Sequence, residues 1–387
     1  MTRLTVFPIF LLALAAPASL LARDVRTSTC EERVDYVGPS RLAPVEFNIG
    51  PIVPDAQLKT PVAKKLDAAF DNVRDLVSAP AMSAAVLLPD EGMWMRNETS
   101  EDAPLLFWAS AGKMATAVVV LQLVEEGKLS LEDRASRWID AVPNGDVMTV
   151  RDLLAHTAGL YSANEDEEVR ATPHFLDLPE QLAIVRRHGA LFCPGAAWRY
   201  SNTGYSLLGE IVKQVDGRPI DEAITRRIIE PLGLTRMRAL PPGGSSVGVA
   251  PPVSGTGPVI EASWAGAAGP LASDAGDMTR FLGALLEGRL LGPDTTTAML
   301  ADLYPMFDNG TYYGLGLMLF EAKDGDNTLR WIGHAGGTPG AGAIVAYSPK
   351  DEAIVAVALT GDGSAAAAAN YLLKTLDRAA PRETANR

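Results

Sequence analysis

The sequence predicts an α+β fold, an antiparallel sheet flanked by helices with a mostly helical part lying between its strands. Short apolar runs bounded by turn signals stand near both ends of the 387-residue chain. Segments with helical spacing of apolar residues fill the middle, and a helix is predicted beside each group of strands. Clefts commonly form between two such parts.

The lead-in, residues 24–60, carries Pro39, Pro44, Pro51 and Pro54 with weak periodicity and reads as an N-terminal tail. Pro61 suits a first helical turn, and Val62, Leu66, Ala69, Phe70, Val73 and Val77 recur at helical spacing. Met82 to Leu88 is an apolar strand ending at Pro89-Asp90-Glu91-Gly92, and Met93 to Met95 returns as a second, giving a hairpin. Helices follow at Ala111 to Glu126, stopped by Gly127, at Val150 to Ala155 with Thr149 as cap, and at Tyr205 to Val215 before Gly217. Leu240 to Gly257 is dense in Pro, Gly and Ser and reads as loop. Ser273 is the expected cap of a helix through Leu286 that stops at Gly288. Strands are predicted at Tyr312 to Phe320, Leu329 to Ile332, Gly342 to Tyr347 and Ala353 to Leu359, the last two joined by Ser348-Pro349-Lys350-Asp351. Ala365 to Arg378 closes the chain as a helix. The expected division is one domain over 61–380, with its sheet part at about 61–108 and 310–380 and its helical part at about 109–300.

Composition narrows the function. Apolar residues make up 47% and charged residues 21%, which excludes disordered and fibrous classes. Against 34 Lys plus Arg stand 47 Asp plus Glu, a formal charge of -13, so a phosphate backbone is repelled and no nucleic-acid partner is expected. Arg3, the apolar run Leu4 to Ala16 and the small-x-small pattern Ala16-Pro17-Ala18 read as a secretory signal peptide over 1–18, cleaved between 18 and 23. Pro8 and Pro17 interrupt the run that a membrane span would need, so the expectation is a periplasmic or secreted protein with no stable membrane anchor after cleavage. Cys30 and Cys193 allow one disulfide or two free thiols. The four histidines and two cysteines show no metal-ligand spacing, so neither metal nor cofactor is expected.

Three motifs carry chemistry. Ser110-Ala111-Gly112-Lys113 is the only Ser-x-x-Lys in the chain, and at the start of a helix it puts both side chains on one face. A serine hydroxyl needs a base in contact, and a lysine kept neutral by burial can serve. Tyr200-Ser201-Asn202 precedes the next helix; a phenol beside a lysine can relay protons, and an amide can hold a substrate carbonyl. His334-Ala335-Gly336 ends a strand and runs into Gly337-Thr338-Pro339-Gly340, where small residues let a substrate lie along the strand edge and an exposed N–H can stabilise an oxyanion. Gly244-Ser245-Ser246-Val247-Gly248 matches the esterase elbow but lies in a Pro/Gly-rich loop, so Ser246 is read as structural.

In this order the three motifs resemble the serine β-lactamase and penicillin-binding protein superfamily, and most closely its class C-like branch of D,D-peptidases, class C β-lactamases, esterases and D-amino-acid peptidases. The resemblance covers about Leu58 to Ala380 and includes Leu153-Leu154-Ala155-His156-Thr157-Ala158-Gly159-Leu160, Glu230-Pro231-Leu232-Gly233-Leu234 and Gly314-Leu315-Gly316. It implies a β-lactamase/transpeptidase-like fold with Ser110 as acylated nucleophile, Lys113 as its base and Tyr200 as proton shuttle. It further implies Asn202, His334 and Gly336 at the substrate and the N–H groups of Ser110 and Gly337 as oxyanion hole; His156 matches a recurring position of the family and is read as structural, a buried imidazole hydrogen-bonding the helix that carries the site. The substrate is then a small molecule or peptide: an ester, a D-amino-acid peptide or a β-lactam.

One departure bears on the substrate. β-Lactamases of this branch carry Lys-Thr-Gly where this chain has His334-Ala335-Gly336, and an ordinary histidine is mostly neutral at pH 7. A D,D-carboxypeptidase-like or esterase activity is therefore expected ahead of β-lactam turnover. A non-catalytic penicillin-binding or regulatory protein is the alternative of another class. Gly112 has no functional account at this level, since glycine weakens a helix start by about 0.5–1 kcal/mol relative to alanine.

Overall fold

A computed structural model describes residues 29–45, 47, 49, 52, 56–307, 310–324 and 327–376. The expected signal peptide lies outside the described residues. Strands from residues 82–98 and from residues 304–360 meet in one sheet. Near the start, β1 (Met82–Leu88) and β2 (Gly92–Glu98) form the predicted hairpin. Two short strands follow, β3 (Leu106–Phe107) and β4 (Met237–Ala239), with β5 (Leu271–Ser273) between them in a three-stranded sheet. The remaining strands are β6 (Tyr304–Pro305), β7 (Thr311–Tyr313), β8 (Met318–Asp324), β9 (Asn327–Thr338), β10 (Ala341–Ser348) and β11 (Ala353–Thr360). The main sheet has eight strands in the order β2-β1-β11-β10-β9-β8-β7-β6, each neighbouring pair antiparallel.

Every residue of β1 and β11 is buried, which explains their continuous apolar runs. Ala84 and Val86 point to the face covered by α1 (Thr60–Leu76), while Ala85 and Leu87 point to the opposite core. Through the helical part run α2 (Lys113–Glu125), α3 (Val150–Ala155), α4 (Glu167–Ala171), α5 (Leu178–His188), α6 (Asn202–Asp216), α7 (Ile220–Ile224) and α8 (Glu230–Leu232). Then come α9 (Ala275–Leu286) on that opposite face, α10 (Pro293–Ala298), and α11 (Ala365–Lys374), which joins α1 on the first face. Thr149 caps α3 as expected, in a reciprocal capping box with Asp152.

Four local expectations change. The predicted strand over Tyr312 to Phe320 is two, because Gly314 N–H turns back to the Leu317 carbonyl (2.8 Å) and Leu315 N–H bonds Met299 (2.9 Å). β9 continues through the His334 motif to Thr338, where the motif was expected to end a strand. The α9 cap is Asp274, whose carboxylate accepts the Asp277 N–H (2.9 Å); Ser273 instead pairs within β5. The small sheet has strands of two or three residues, too short to show a period of two.

Cys30 and Cys193 form a disulfide, with Cα atoms 5.7 Å apart. It fastens the N-terminal segment to the loop leading into Tyr200-Ser201-Asn202, where Val34 N–H bonds the Pro194 carbonyl (3.0 Å) and Val37 N–H that of Ala196 (2.8 Å). Arg33 Nε meets the buried Asp152 carboxylate at 3.1 Å, so the same segment also holds the capping box. Cys30→Ala is expected to lower unfolding free energy by about 2–4 kcal/mol, read from denaturant melts with and without reductant. Wild-type and variant curves that coincide without reductant would contradict it.

Candidate active site

Three chain segments converge beside β9. A 3₁₀ turn, Ala109–Gly112, follows β3 and presents Ser110. Ala109 carries φ +44°, the left-handed region, which costs a non-glycine residue about 1–2 kcal/mol. That residue breaks the strand direction so that the next one, Ser110, meets the cleft. Lys113 opens α2 one turn later and is fully buried. Its Nζ lies 3.3 Å from Ser110 Oγ, and it donates to Asn202 Oδ1 and to the Ala268 carbonyl at 2.7 Å each. The faces of Tyr200 and Tyr205 stand 4.8 and 5.2 Å from the same nitrogen. Every one of these partners is neutral, and burial alone drives the Lys113 pKa well below its ordinary value.

Tyr200 bonds to Ser110, and burial raises its phenol pKa, so it stays protonated at neutral pH. Asn202 begins α6; its N–H bonds Ser162 Oγ (2.9 Å) and its Nδ2 donates to Asn164 Oδ1 (3.0 Å). Ser162 thus holds the start of α6, and Asn164 holds the Asn202 side chain beside Lys113; neither stands in a sequence motif. Ser110, Tyr200, Asn202 and Gly337 all line one cleft of about 410 Å³. Around it Glu165 pairs with Arg199 (2.5 Å) and His174 with Glu180 (2.8 Å), while Arg170 makes no ion pair among the described residues.

His334 departs from expectation. Its ring is fully buried behind the site and does not line the cleft. Nδ1 lies 2.6 Å from the Ala335 carbonyl and so carries the proton; Nε2 therefore accepts from the Tyr313 hydroxyl at 3.2 Å. Tyr313 in turn meets Tyr205 (3.2 Å). Burial, with the nearby Lys113, pulls the His334 pKa down to about 3. Tyr313 gave no signal of this role, since in sequence it reads as one more strand residue. Gly336 also serves differently: a Cβ there would fall 2.4 Å from the Trp108 carbonyl and 2.7 Å from Ser110 N. Its small size admits the Ser110 turn against β9 rather than a substrate.

Gly112 gains an explanation, because a Cβ would lie 2.7 Å from the Pro270 ring, and that close approach brings the Ala268 carbonyl to Lys113. His156 is buried, in contact with Tyr200, Tyr205 and Tyr313, and its Nδ1 accepts the Ser201 N–H (3.2 Å) at the cap of α6. Ser246 lies outside the cleft, its Oγ taking the Ser263 N–H (3.2 Å). No helix among the described residues is long and apolar enough to cross a membrane.

A family model described as Beta-lactamase matches residues 71–377. Penicillin-binding protein 4* of Bacillus subtilis (strain 168) is 35% identical over 136 residues, 34% of this chain and 29% of that protein. Esterase EstB of Burkholderia gladioli is 30% identical over 207 residues, 45% of this chain and 50% of the esterase. The matches thus span half or less of these curated relatives. The D-stereospecific amidohydrolase from Streptomyces superposes with a TM-score of 0.65 at 28% identity, over 79% of this chain and 96% of that one.

Two outcomes are expected from this geometry. Gly112→Ala forces Pro270 away from α2 and costs about 1–3 kcal/mol, measured by denaturant unfolding; an unchanged midpoint contradicts the close approach. His334 and His156 stay neutral when folded but bind protons below about pH 6.5 when unfolded. Stability therefore falls as pH drops from about 6.5 toward 3, and His334→Gln flattens that fall. Equal pH slopes in the two proteins would show that His334 is not the buried neutral group.

Proposed function

The chain belongs to the Beta-lactamase family, and from that footing we propose that it is an exported serine hydrolase working through an acyl-enzyme on Ser110. Its substrates are esters or amides containing D-amino acids, in the manner of a D-alanyl-D-alanine carboxypeptidase or an esterase. The observation that carries this reading is the contact between Ser110 Oγ and a buried Lys113 Nζ that no carboxylate among the described residues pairs.

A lysine with so lowered a pKa can take the Ser110 proton as Oγ bonds to the substrate carbonyl carbon. The N–H groups of Ser110 and Gly337 face the oxygen that gains charge. Tyr200 passes a proton to the leaving alcohol or amine as that bond breaks, and Asn202 holds the acyl side of the substrate. Water then attacks the Ser110 ester, gives a proton back to the serine and releases the acid. His334 takes no part at the substrate; it is buried behind the cleft.

The relatives favour this class, being named an esterase and a D-stereospecific amidohydrolase. β-Lactam turnover is disfavoured because a buried, neutral His334 supplies no cation for a substrate carboxylate. Export is supported by the N-terminal apolar run and by the Cys30–Cys193 disulfide, which suits an oxidising compartment.

Ser110→Ala is expected to abolish p-nitrophenyl ester hydrolysis and any covalent adduct seen by intact mass after mixing with a β-lactam. Lys113→Met is expected to lower kcat by about 10²–10⁴-fold. In wild type the rate rises with pH through the depressed Lys113 pKa, well before free lysine would titrate. Full activity in Ser110→Ala would overturn the reading.

A further inference from the structure

We propose that a second cavity, adjoining the cleft at Leu176 and Trp264, seats the acyl chain, so that preferred substrates carry an extended apolar acyl group. The proposal rests on the serine hydrolase reading above and adds the shape and polarity of the acid that is transferred.

The second cavity holds about 260 Å³ and adjoins the cleft, sharing Leu176, Gln181, Ser206, Trp264 and Ala265 as a common wall. One face of α6 leads from one to the other. Asn202 lines the cleft, Ser206 lies on the shared wall, and Gly209 and Lys213 border the second cavity. Steps of four, three and four residues keep these positions on one helical stripe. From Asn202 to Gly209 the axial rise is about 10 Å. In the proposed reaction Asn202 stands on the acyl side of the scissile bond, so the acyl substituent, not the leaving group, is directed along this stripe.

The walls decide the chemistry. Phe175, Leu178, Pro219, Ile220 and Pro242 are apolar. The two charged residues on the wall, Glu210 and Lys213, pair with each other at 3.3 Å. On the shared wall, Gln181 Nε2 already donates to the Leu176 carbonyl (2.9 Å) and Ser206 Oγ to that of Asn202 (3.4 Å). An alkyl or aryl chain resting on these apolar walls needs no polar partner. Arg170 lines the outer cleft only and does not reach this space.

The test is kcat/KM across p-nitrophenyl acetate, butyrate, octanoate and decanoate with the full-length protein. Each methylene moved out of water into an apolar site is worth up to about fourfold, so octanoate should exceed acetate by at least about tenfold. Leu178→Trp fills the second cavity without touching the cleft and should collapse that ratio to within about threefold of unity, while leaving acetate turnover within about twofold. Phe175→Ala enlarges the same space and should move the optimum to a longer chain, which keeps the test decisive if Leu178→Trp fails to fold. A flat acyl-length profile in a wild type that acylates Ser110 would overturn this inference and leave the hydrolase reading standing. So would a length preference that follows the alcohol, measured with hexyl and ethyl acetate. Wild-type ester turnover in Ser110→Ala would remove both.

Discussion

A lysine stripped of water without a counter-ion governs the arrangement of the site. The Lys113 ammonium would be expensive to bury as a cation, and it meets only oxygens of neutral groups and the faces of two tyrosines. No carboxylate among the described residues relieves this, despite the chain's excess of acidic residues. Such a group is held in place by whatever surrounds it, so the start of α2, the start of α6 and the carbonyl end of the 262–268 turn must all stay in register. The disulfide, the α3 capping box and the Gly112–Pro270 approach each tighten one side of that meeting point.

The ring behind the site continues the same economy of charge. A second cation at position 334 would sit within electrostatic reach of Lys113 and push protons off both. A neutral imidazole, its tautomer fixed by the Ala335 carbonyl, instead ends a hydrogen-bonded line through Tyr313 to Tyr205, whose ring flanks Lys113. The His334-Ala335-Gly336 motif thus contributes to the back wall of the site, and the strand beyond it, at Gly337 and Thr338, reaches the cleft.

Legibility in the sequence followed the range of the interactions involved. The β1–β2 hairpin, the Thr149 cap and the C-terminal strands are set by neighbours in sequence, and their patterns were readable. The cluster of Ser110, Lys113, Tyr200 and Asn202 was readable through motifs, because each is a spaced pair inside one turn or helix start. What escaped were groups defined by distant partners. Asn164 acts through Asn202, Tyr313 through His334, and Gly336 through the Ser110 turn packed against it. No local period distinguishes a tyrosine that caps a buried imidazole from one that merely fills a strand.

The main sheet also sets a timetable. β1 sits between β2, made moments later, and β11, which follows it only after all the helices of the helical part. Until β11 emerges, β1 has an open edge. Such long-range pairing folds slowly, because a long loop must close before the contacts that reward it can form. A nascent chain therefore carries β1 paired on one side only until residues 353–360 have been made. That interval leaves an unpaired strand edge exposed, the kind of surface on which incomplete chains aggregate.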